Sequence, residues 1–261
     1  MSKKAILVVS FGTSHLDTKA KTIDHITNKI KNEFSDCSVY EAFTSSMIKK
    51  ILWKKHNIHV CNVTEAMEAM LEDGIEEVKV QPTHIINGFE YEKMLNQLEP
   101  YKEKFKTVTC GVPLLTDTED YFEFTDKLMN EMPVLEENEA IVFMGHGTDH
   151  YINVTYSAMN DIFRRRGYKH AYVGTVEAFP DLDDILERLG EKDYKKVYLT
   201  PFMIVAGEHV KNDMLTDDES WLNKLKEAGY EVVPIIKGLG EYEFVASLFI
   251  NHIKDSIKEC V

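Results

Sequence analysis

The stretch Ala140-Ile-Val-Phe-Met-Gly-His-Gly-Thr-Asp-His150 combines a strand with a turn, and it decides how the rest of the chain is interpreted. Its first five residues are apolar and predict a short strand that is buried on both faces. Gly145 and Gly147 allow a sharp turn and a close approach of the backbone to a ligand. Because open α/β sheets bind ligands at the carboxyl ends of their strands, His146 is a candidate to bind a metal or accept a proton. The alternative is a turn histidine that only hydrogen-bonds the backbone.

The same pattern occurs at the start of the chain, where residues 5–15 read AILVVSFGTSH. Both copies begin with Ala-Ile and end with Gly-Thr-x-His. Further segments of the two halves match in the same order. The matching pairs are Tyr40–Phe43 with Val176–Phe179, Val78–Pro82 with Val197–Pro201, Gly88 with Gly207, and the strand near Cys110 with Val232–Ile236. This shared order indicates an internal duplication.

Predicted strands and helices alternate along both halves. Lys4–Ser10 is a buried apolar run, whereas Ile23, Ile26 and Ile30 have helical spacing. The alternation predicts the α/β class, with two similar domains that each contain a parallel sheet flanked by helices.

The predicted boundary between the halves lies in an acidic helical stretch around Pro133. We assign residues 1–125 to the first half, together with a C-terminal helix at 243–261 that returns to it. Residues 126–242 form the second half, which carries the candidate metal ligands. We expect a cleft between the strand ends of the two halves.

Composition narrows the possible partners and the compartment. The 261 residues carry a formal charge of −14, which argues against nucleic acid and against an anionic membrane surface as partners. The N-terminal apolar run is too short for a signal peptide, so we interpret it as the first strand. The cysteines, Cys37, Cys61, Cys110 and Cys260, form no C-x-x-C pair and predict free thiols in a reducing cytoplasm.

Comparison of the halves separates functional residues from the scaffold. His146 occupies the position of Phe11, and His209 occupies the position of Glu90. With Glu177 at a third turn, these histidines are predicted to lie on one rim of the second sheet. Two imidazoles and a carboxylate suit a borderline divalent cation such as Co, Ni, Fe or Zn, and three protein ligands leave a position open for a substrate atom.

His84 is a further candidate, in the segment QPTHIING that follows the predicted strand Val78–Pro82. It either lines the expected pocket or packs against a helix, and the sequence alone leaves both alternatives open.

Five segments together resemble a known family. They are AILVVSFGTSH (5–15), VQPTHIING (80–88), FMGHGTDH (143–150), VEAFPD (176–181) and AGEHVKNDM (206–214). Over nearly the whole chain they are similar to the CbiK-type sirohydrochlorin cobaltochelatases of the anaerobic cobalamin pathway. The resemblance implies the class II chelatase fold and insertion of Co²⁺ into sirohydrochlorin.

The resemblance also implies roles for individual residues. The metal ligands of the family fall on His146, Glu177 and His209, and His146 also acts as the proton acceptor. The catalytic residues are then His146 and His209. The residues implied to face the macrocycle are Ser10, Phe11, Gly12, Thr13, Ser14, His84, Gly88 and Glu90.

The expected partners are sirohydrochlorin and a divalent metal, with Co²⁺ as a substrate and no permanently bound cofactor. A homo-oligomer is compatible with the sequence. Two alternatives stay open at this point. The same ligands serve a non-catalytic carrier of metal or tetrapyrrole, and they also serve a chelatase that inserts Fe²⁺ or Ni²⁺.

Overall fold

A computed structural model describes residues 3–256 and divides the chain into two units. The first unit contains the residues up to Thr116 and those from Gly240 onward, and the second runs from Asp117 to Leu239. Each unit contains one four-stranded parallel sheet with helices. The predicted α/β class with two similar domains is therefore confirmed.

The elements follow one another in the predicted alternation. The strands are β1 (Lys4–Ser10), β2 (Ser38–Phe43), β3 (Glu77–Pro82), β4 (Thr107–Cys110), β5 (Glu139–Gly145), β6 (Ala171–Thr175), β7 (Lys196–Phe202) and β8 (Glu231–Pro234). The α-helices are α1 (Leu16–Lys21), α2 (Ile23–Glu33), α3 (Ser46–His56), α4 (Val63–Glu72), α5 (Phe89–Leu98), α6 (Thr118–Asn130), α7 (Val154–Arg165), α8 (Leu182–Gly190), α9 (Trp221–Glu227) and α10 (Glu243–Asp255). Short 3₁₀ helices occupy Glu99–Lys104, Tyr151–Asn153 and Leu239–Glu241, and a π-helix occupies Val210–Thr216. Part of the predicted C-terminal helix, residues 257–261, lies outside the described residues.

The two sheets have the same strand order, which is β2-β1-β3-β4 in the first unit and β6-β5-β7-β8 in the second. Pro82 pairs with Val9 of β1, and Pro201 pairs with Met144 of β5, one residue before each strand ends. The match of Val78–Pro82 with Val197–Pro201 is therefore a structural equivalence.

One predicted equivalence is wrong. Phe43 pairs with the last residue of β1, and Thr175 pairs with the last residue of β5. Thr175 is therefore the counterpart of Phe43, whereas Val176–Phe179 lies beyond the end of β6. The segment Tyr40–Phe43 lies within β2. The similar sequences of Tyr40–Phe43 and Val176–Phe179 predict an alignment that differs from the strand register by four residues.

Several helices begin at residues whose side chains satisfy the free backbone N–H groups. Asn62 and Glu65 form a reciprocal capping box at the start of α4, and Asp181 and Asp184 do the same for α8. Ser45 caps α3 by accepting a hydrogen bond from the Ile48 N–H at 3.3 Å. No helix within residues 3–256 is both long and apolar enough to cross a membrane.

The first sheet is covered on both faces. Alternate residues of β1, including Ala5, Leu7 and Val9, belong to one buried cluster with side chains of α4 and α5. The residues between them, Ile6 and Val8, point to the opposite face because side chains alternate along a strand. They are also fully buried, and α2 and α10 contact strands of this sheet.

The second sheet is organised in the same way. Ala140, Val142 and Met144 of β5 belong to a buried cluster with residues of α8, α9 and the π-helix. On the other face, Phe143 stacks on Phe163 of α7, with the ring centroids 5.4 Å apart. β5 is thus buried along its whole length, as the apolar run predicted. A strand fixed on both faces gives the following turn a rigid support.

The cysteine prediction needs a correction. Cys37 and Cys61 are free thiols, but Cys110 is disulfide-bonded. The prediction of free thiols therefore fails at Cys110, and Cys260 lies outside the described residues. Spacing along the sequence did not reveal this bond because it depends on the fold.

Truncation of Phe143 tests the support beneath the turn. Phe143→Ala removes a fully buried ring that packs against Phe163 and Phe202. We expect a loss of about 3–5 kcal/mol in the free energy of unfolding, measured by urea denaturation. Val134→Ala is the control, because Val134 is 93% exposed and its truncation leaves stability unchanged. Equal stabilities of the two variants would contradict this account.

Candidate metal centre

The three candidate metal ligands lie at the carboxyl edge of the second sheet. His146 directly follows β5, Glu177 lies two residues beyond β6, and His209 precedes the π-helix. One ligand atom from each side chain lies within 4.8 Å of the ligand atoms of the other two. The structure thus brings together three side chains that are far apart in the sequence.

Backbone hydrogen bonds continue the pairing of β5 and β6 past the ends of the strands. The Val176 N–H donates to the Gly145 carbonyl at 3.0 Å, and the Glu177 N–H donates to the His146 carbonyl at 2.9 Å. These bonds fix two candidate ligands at adjacent positions of neighbouring loops. The two side chains therefore start from a defined backbone separation, which reduces the conformational entropy that is lost on binding an ion.

The turn after β5 requires glycine at position 147. Gly147 has φ +84°, and a Cβ added there would lie 2.9 Å from the Thr175 side chain and 3.0 Å from the Ala178 N atom. The Thr175 hydroxyl donates to the carbonyl groups of Ala178 and Pro180, which closes the Glu177 loop tightly. The two loops therefore pack against each other without room for a side chain.

A buried phenol lies beneath the same turn. The Tyr156 ring packs so closely on Gly145 that a Cβ at that glycine would lie 2.5 Å from it. Burial raises the pKa of Tyr156 to about 12, and a backbone hydrogen bond from Gly147 opposes this increase. The phenol therefore stays protonated near neutral pH and supports the turn without adding charge.

Hydrogen bonds fix the orientation of both imidazoles. The Nδ1 atom of His146 lies 2.9 Å from the Gly147 carbonyl oxygen, and the Nδ1 atom of His209 lies 2.7 Å from Oδ2 of Asp213. A carbonyl oxygen and a carboxylate oxygen only accept hydrogen bonds, so Nδ1 is the donor in both rings. The Nε2 atoms are then left with their lone pairs available to an ion.

The two Nε2 atoms face each other across 3.1 Å, with the ring planes 85° apart. Two lone pairs at this distance repel, and a cation between them removes the repulsion. Two nitrogens separated by 3.1 Å and each bonded to one ion at ~2.0–2.1 Å subtend an angle of about 100°. That angle lies between the octahedral and tetrahedral values, so one ion fits both ligands.

Glu177 adds a negative charge beside the imidazoles. Its Oε2 atom lies 3.5 Å from Nδ1 of His146, and its side chain is 54% exposed. The side chains of His146 and His209 are 42% and 43% exposed. All three candidate ligands are therefore partly open to solvent.

Two residues near this centre were missed by the sequence reasoning. Asn153 accepts a hydrogen bond from the Thr148 N–H at 3.0 Å and donates one to the Phe179 carbonyl at 2.6 Å, so it links the His146 and Glu177 loops. Asp213 contacts His209, as described above. In the sequence, the spacing of four residues between His209 and Asp213 on a helical segment indicates this contact, because such pairs lie on one face of a helix.

The other predicted site residues lie in the first unit, around the carboxyl ends of β1 and β3. Ser10 ends β1 and shares a 2.8 Å hydrogen bond with Thr83, which follows β3. Phe11 is 48% exposed, whereas Gly12 and Thr13 are buried and Ser14 is half-buried. Gly88 precedes α5, and Glu90 lies in its first turn beside Lys93, with 3.4 Å between the charged atoms. Their proposed contacts with a macrocycle remain a prediction.

His84 has an unusual environment in the same unit. Both of its ring nitrogens are buried, and neither has a hydrogen-bond partner among residues 3–256, although the residue as a whole is half-buried. The pKa of His84 is lowered to about 4, mainly by burial; the Glu90 carboxylate opposes this decrease and the Lys93 ammonium contributes to it. The imidazole is therefore neutral near pH 7.

Comparison with known proteins assigns the chain to a family. The family model described as Cobalt chelatase (CbiK) matches residues 4–258. The chain belongs to the CbiK cobalt chelatase family. It is 35% identical over 260 residues to the sirohydrochlorin cobaltochelatase of Salmonella typhimurium (strain LT2), a match that covers 99% of this chain and 98% of that protein. The resemblance inferred from the motifs is confirmed.

Two further proteins are similar to this chain, one in sequence and one in structure. The sirohydrochlorin cobaltochelatase CbiKC of Nitratidesulfovibrio vulgaris (strain Hildenborough) is 31% identical over 261 residues, which covers 98% of this chain and 92% of that protein. The structure of SirB from Bacillus subtilis with Fe³⁺ superposes with a TM-score of 0.67 at 14% identity, over 97% of this chain and 95% of that one. At this identity the SirB comparison establishes a shared chelatase fold.

Substitution of Gly147 tests the packing of the ligand loops. In Gly147→Ala the new Cβ enters a left-handed backbone conformation and contacts the Thr175 side chain and the Ala178 backbone. We expect a loss of ~1–3 kcal/mol in stability and weaker Co²⁺ binding, measured by thermal unfolding and by calorimetric titration. Gly167→Ala is the matched control, because Gly167 has φ +92° with no atom within 4 Å of an added Cβ. If both variants bind Co²⁺ like the parent, the loop packing does not position the ligands.

The lowered pKa of His84 predicts how stability depends on pH. In the unfolded chain this imidazole binds a proton near pH 6.5, whereas in the folded chain it does so only near pH 4. Its contribution to stability is therefore fully present above pH 6.5 and is lost as the pH falls to 4, up to a total on the order of 3 kcal/mol.

Urea unfolding of His84→Leu between pH 7 and pH 4 measures this contribution, because the variant lacks the titrating group and its stability falls less steeply than that of the parent. His56→Leu, at an exposed position in the last turn of α3, is the control and keeps the parental slope. Equal slopes for parent and His84→Leu would refute the assignment.

Proposed function

We propose that this chain inserts Co²⁺ into sirohydrochlorin and that His146, Glu177 and His209 hold the ion before transfer. The observation that carries the proposal is the convergence of two Nε2 atoms at 3.1 Å beside a carboxylate, in a member of the CbiK family. The two curated relatives that bear the name sirohydrochlorin cobaltochelatase support the choice of substrate and metal.

The proposed ligand set binds the metal weakly enough to release it to the ring. Two neutral imidazoles and one exposed carboxylate give the ion a partial coordination shell, and the remaining positions stay open for ring nitrogens. No cysteine contributes to the cluster, so the stronger bonds of thiolates are absent. Glu177 lowers the net charge of the bound ion and so reduces the repulsion that the departing pyrrole protons meet.

Insertion must release two protons for each ion that enters the ring. Each pyrrole N–H that becomes a metal ligand loses its proton, so the neutral macrocycle and Co²⁺ give the cobalt chelate and two H⁺. We propose that His146 accepts one of these protons when its bond to the ion breaks. In this scheme its Nε2 atom is released at the point where the ring nitrogens take over the ion, so a general base becomes available where the protons depart.

The first unit is the proposed source of contacts with the ring. We assign this role to residues at the carboxyl ends of β1 and β3, where the exposed Phe11 offers an apolar surface and Glu90 a polar one. The residues concerned are Ser10, Phe11, Gly12, Thr13, Ser14, His84, Gly88 and Glu90. Contacts with the periphery can offset the strain of a bent macrocycle, whose inner nitrogens are more accessible to an ion.

The metal preference requires an explanation other than affinity. Nitrogen ligands bind Ni²⁺ and Cu²⁺ more tightly than Co²⁺. We therefore propose that metal supply and coordination geometry select cobalt. Co²⁺ is a substrate in this scheme and not a resident cofactor, and we place the reaction in the cytoplasm.

A multiple-turnover assay tests the proposal. Sirohydrochlorin in large excess over protein is mixed with Co²⁺, Fe²⁺ or Ni²⁺, and the visible absorbance of the ring reports insertion. His146→Ala and His209→Ala are expected to reduce kcat/KM for Co²⁺ by roughly 100-fold or more while keeping the parental melting temperature, since neither side chain is part of the core. His56→Ala is the control, because His56 is exposed in the first unit.

Each outcome of this assay has a defined meaning. Many rings metallated per protein support an enzyme, whereas strictly stoichiometric transfer supports a carrier of metal or tetrapyrrole. If the protein inserts Fe²⁺ or Ni²⁺ in preference to Co²⁺ in a competition assay, the preferred metal and not cobalt is the substrate. Insertion of Co²⁺ at the parental rate by both histidine variants removes these residues from the mechanism.

A further inference from the structure

The carboxylate that contacts His209 belongs to the π-helix and not to the ligand cluster. Oδ2 of Asp213 lies 2.7 Å from Nδ1 of His209, and the Asp213 side chain is 32% exposed. Nδ1 lies between the carboxylate and the rest of the ring, so Asp213 does not reach an ion held at Nε2 through this contact. Its effect on the ion must be transmitted through the imidazole.

Two physical effects follow from this contact. The carboxylate holds the proton on Nδ1 and thereby leaves the lone pair of Nε2 available on the side of the ring where Nε2 of His146 lies, 3.1 Å away. The negative charge also makes the imidazole a stronger electron donor to a cation. His146 donates instead to the neutral Gly147 carbonyl at 2.9 Å, and the carboxylate oxygen beside the same nitrogen, Oε2 of Glu177, lies 3.5 Å away. This carboxylate is further from its ring than Asp213 is from His209 at 2.7 Å, so the two imidazoles are not equivalent ligands.

The duplicated scaffold offers an internal comparison. Gly88 and Gly207 precede the corresponding helices, and in both units the N–H four residues later donates to the glycine carbonyl. His209 stands where the first unit has Glu90, and Asp213 stands where it has Met94, which is fully buried in the first core. Both members of the His209–Asp213 pair are thus changed together in the unit that carries the ligands.

The helix type agrees with this change. The segment of the second unit is a π-helix, in which the Asp217 N–H donates to the carbonyl of Asn212 five residues earlier. Its core residues are Val210 and Met214, one residue further apart than Tyr91 and Met94 in the regular helix α5. The extra residue lets Met214 fill the core while Asp213 stays at the surface beside His209. Wide turns of this kind often occur at functional sites.

We propose that Asp213 is the positioning residue of the metal centre, which tunes the affinity for a divalent cation by orienting and polarising His209. The inference rests on the proposed function, because it assumes that His209 binds the ion. It goes further by separating ligand from positioning residue and by assigning the tighter imidazole ligand to His209.

Calorimetric titration of the full-length protein with CoCl₂ alone tests this inference. Asp213→Asn preserves an oxygen that can accept from Nδ1 but removes the charge, and Asp213→Ala removes both. We expect the Kd for Co²⁺ to rise by roughly 10-fold in the first variant and by up to about 100-fold in the second. The visible d–d spectrum of bound Co²⁺ should shift in both, since the spectrum reports the ligand field.

The control is Asp217→Asn. Asp217 lines the same cavity of about 330 Å³ as Asp213 and carries the same charge, but it makes no hydrogen bond with His209 within the described chain. It should bind Co²⁺ like the parent. Steady-state kinetics add a second criterion, in which the Asp213 variants raise KM for Co²⁺ and leave KM for the tetrapyrrole unchanged.

The possible failures are distinguishable. If His209→Ala loses Co²⁺ while both Asp213 variants bind it with parental affinity and spectrum, the positioning role is refuted and the proposed function stands. If Asp217→Asn weakens binding as much as Asp213→Asn, loss of general charge explains the effect and the positioning role is again refuted. If His209→Ala binds and inserts Co²⁺ at the parental level, the proposed centre itself fails.

Discussion

The hydrogen bond from the Glu177 N–H to the His146 carbonyl is the constraint on which the candidate centre depends. It extends the parallel pairing of β5 and β6 by two residues, so that regular sheet geometry, and not loop flexibility, sets the separation of two ligands. The fully buried strand β5 anchors one side of this pairing, and Gly147 packs against Thr175 and Ala178 without room for a side chain. The third candidate ligand, His209, lies at the same edge, directly before the π-helix that follows β7.

The same backbone bond exists in the first unit, where the Ser45 N–H donates to the Phe11 carbonyl. Two sheets with the same strand order therefore carry different side chains at equivalent positions. One has a phenylalanine and a serine at the positions where the other has a histidine and a glutamate. Among residues 3–256, the candidate ligand cluster lies in the second unit. The differences between the units fall on side chains beyond the strand ends, while the hydrogen bonds that position them are retained. The identity of the candidate ligands is thus independent of the backbone hydrogen bonds that position them.

Sequence reasoning predicted the fold well because burial leaves a direct pattern in the chain. The apolar runs of β1 and β5 and the helical spacing of Ile23, Ile26 and Ile30 all correspond to observed elements. It also selected His146, Glu177 and His209, since each follows a strand or precedes a helix at one sheet edge. Alignment of short segments by residue identity was less accurate, because strand register depends on hydrogen-bonded pairing between strands. The misaligned segment Tyr40–Phe43 illustrates this. Asn153, Asp213 and the bond at Cys110 were missed because they act through contacts that only the folded chain creates.

The fixed Nδ1 contacts of the two imidazoles have a consequence for repeated cycles of the proposed reaction. When an ion leaves, each ring is still held from behind, by the Gly147 carbonyl in one case and by the Asp213 carboxylate in the other. Neither ring has to rotate into a new orientation before the next ion binds. In the proposed reaction, the departure of one ion thus leaves both rings in the orientation that binding of the next ion requires.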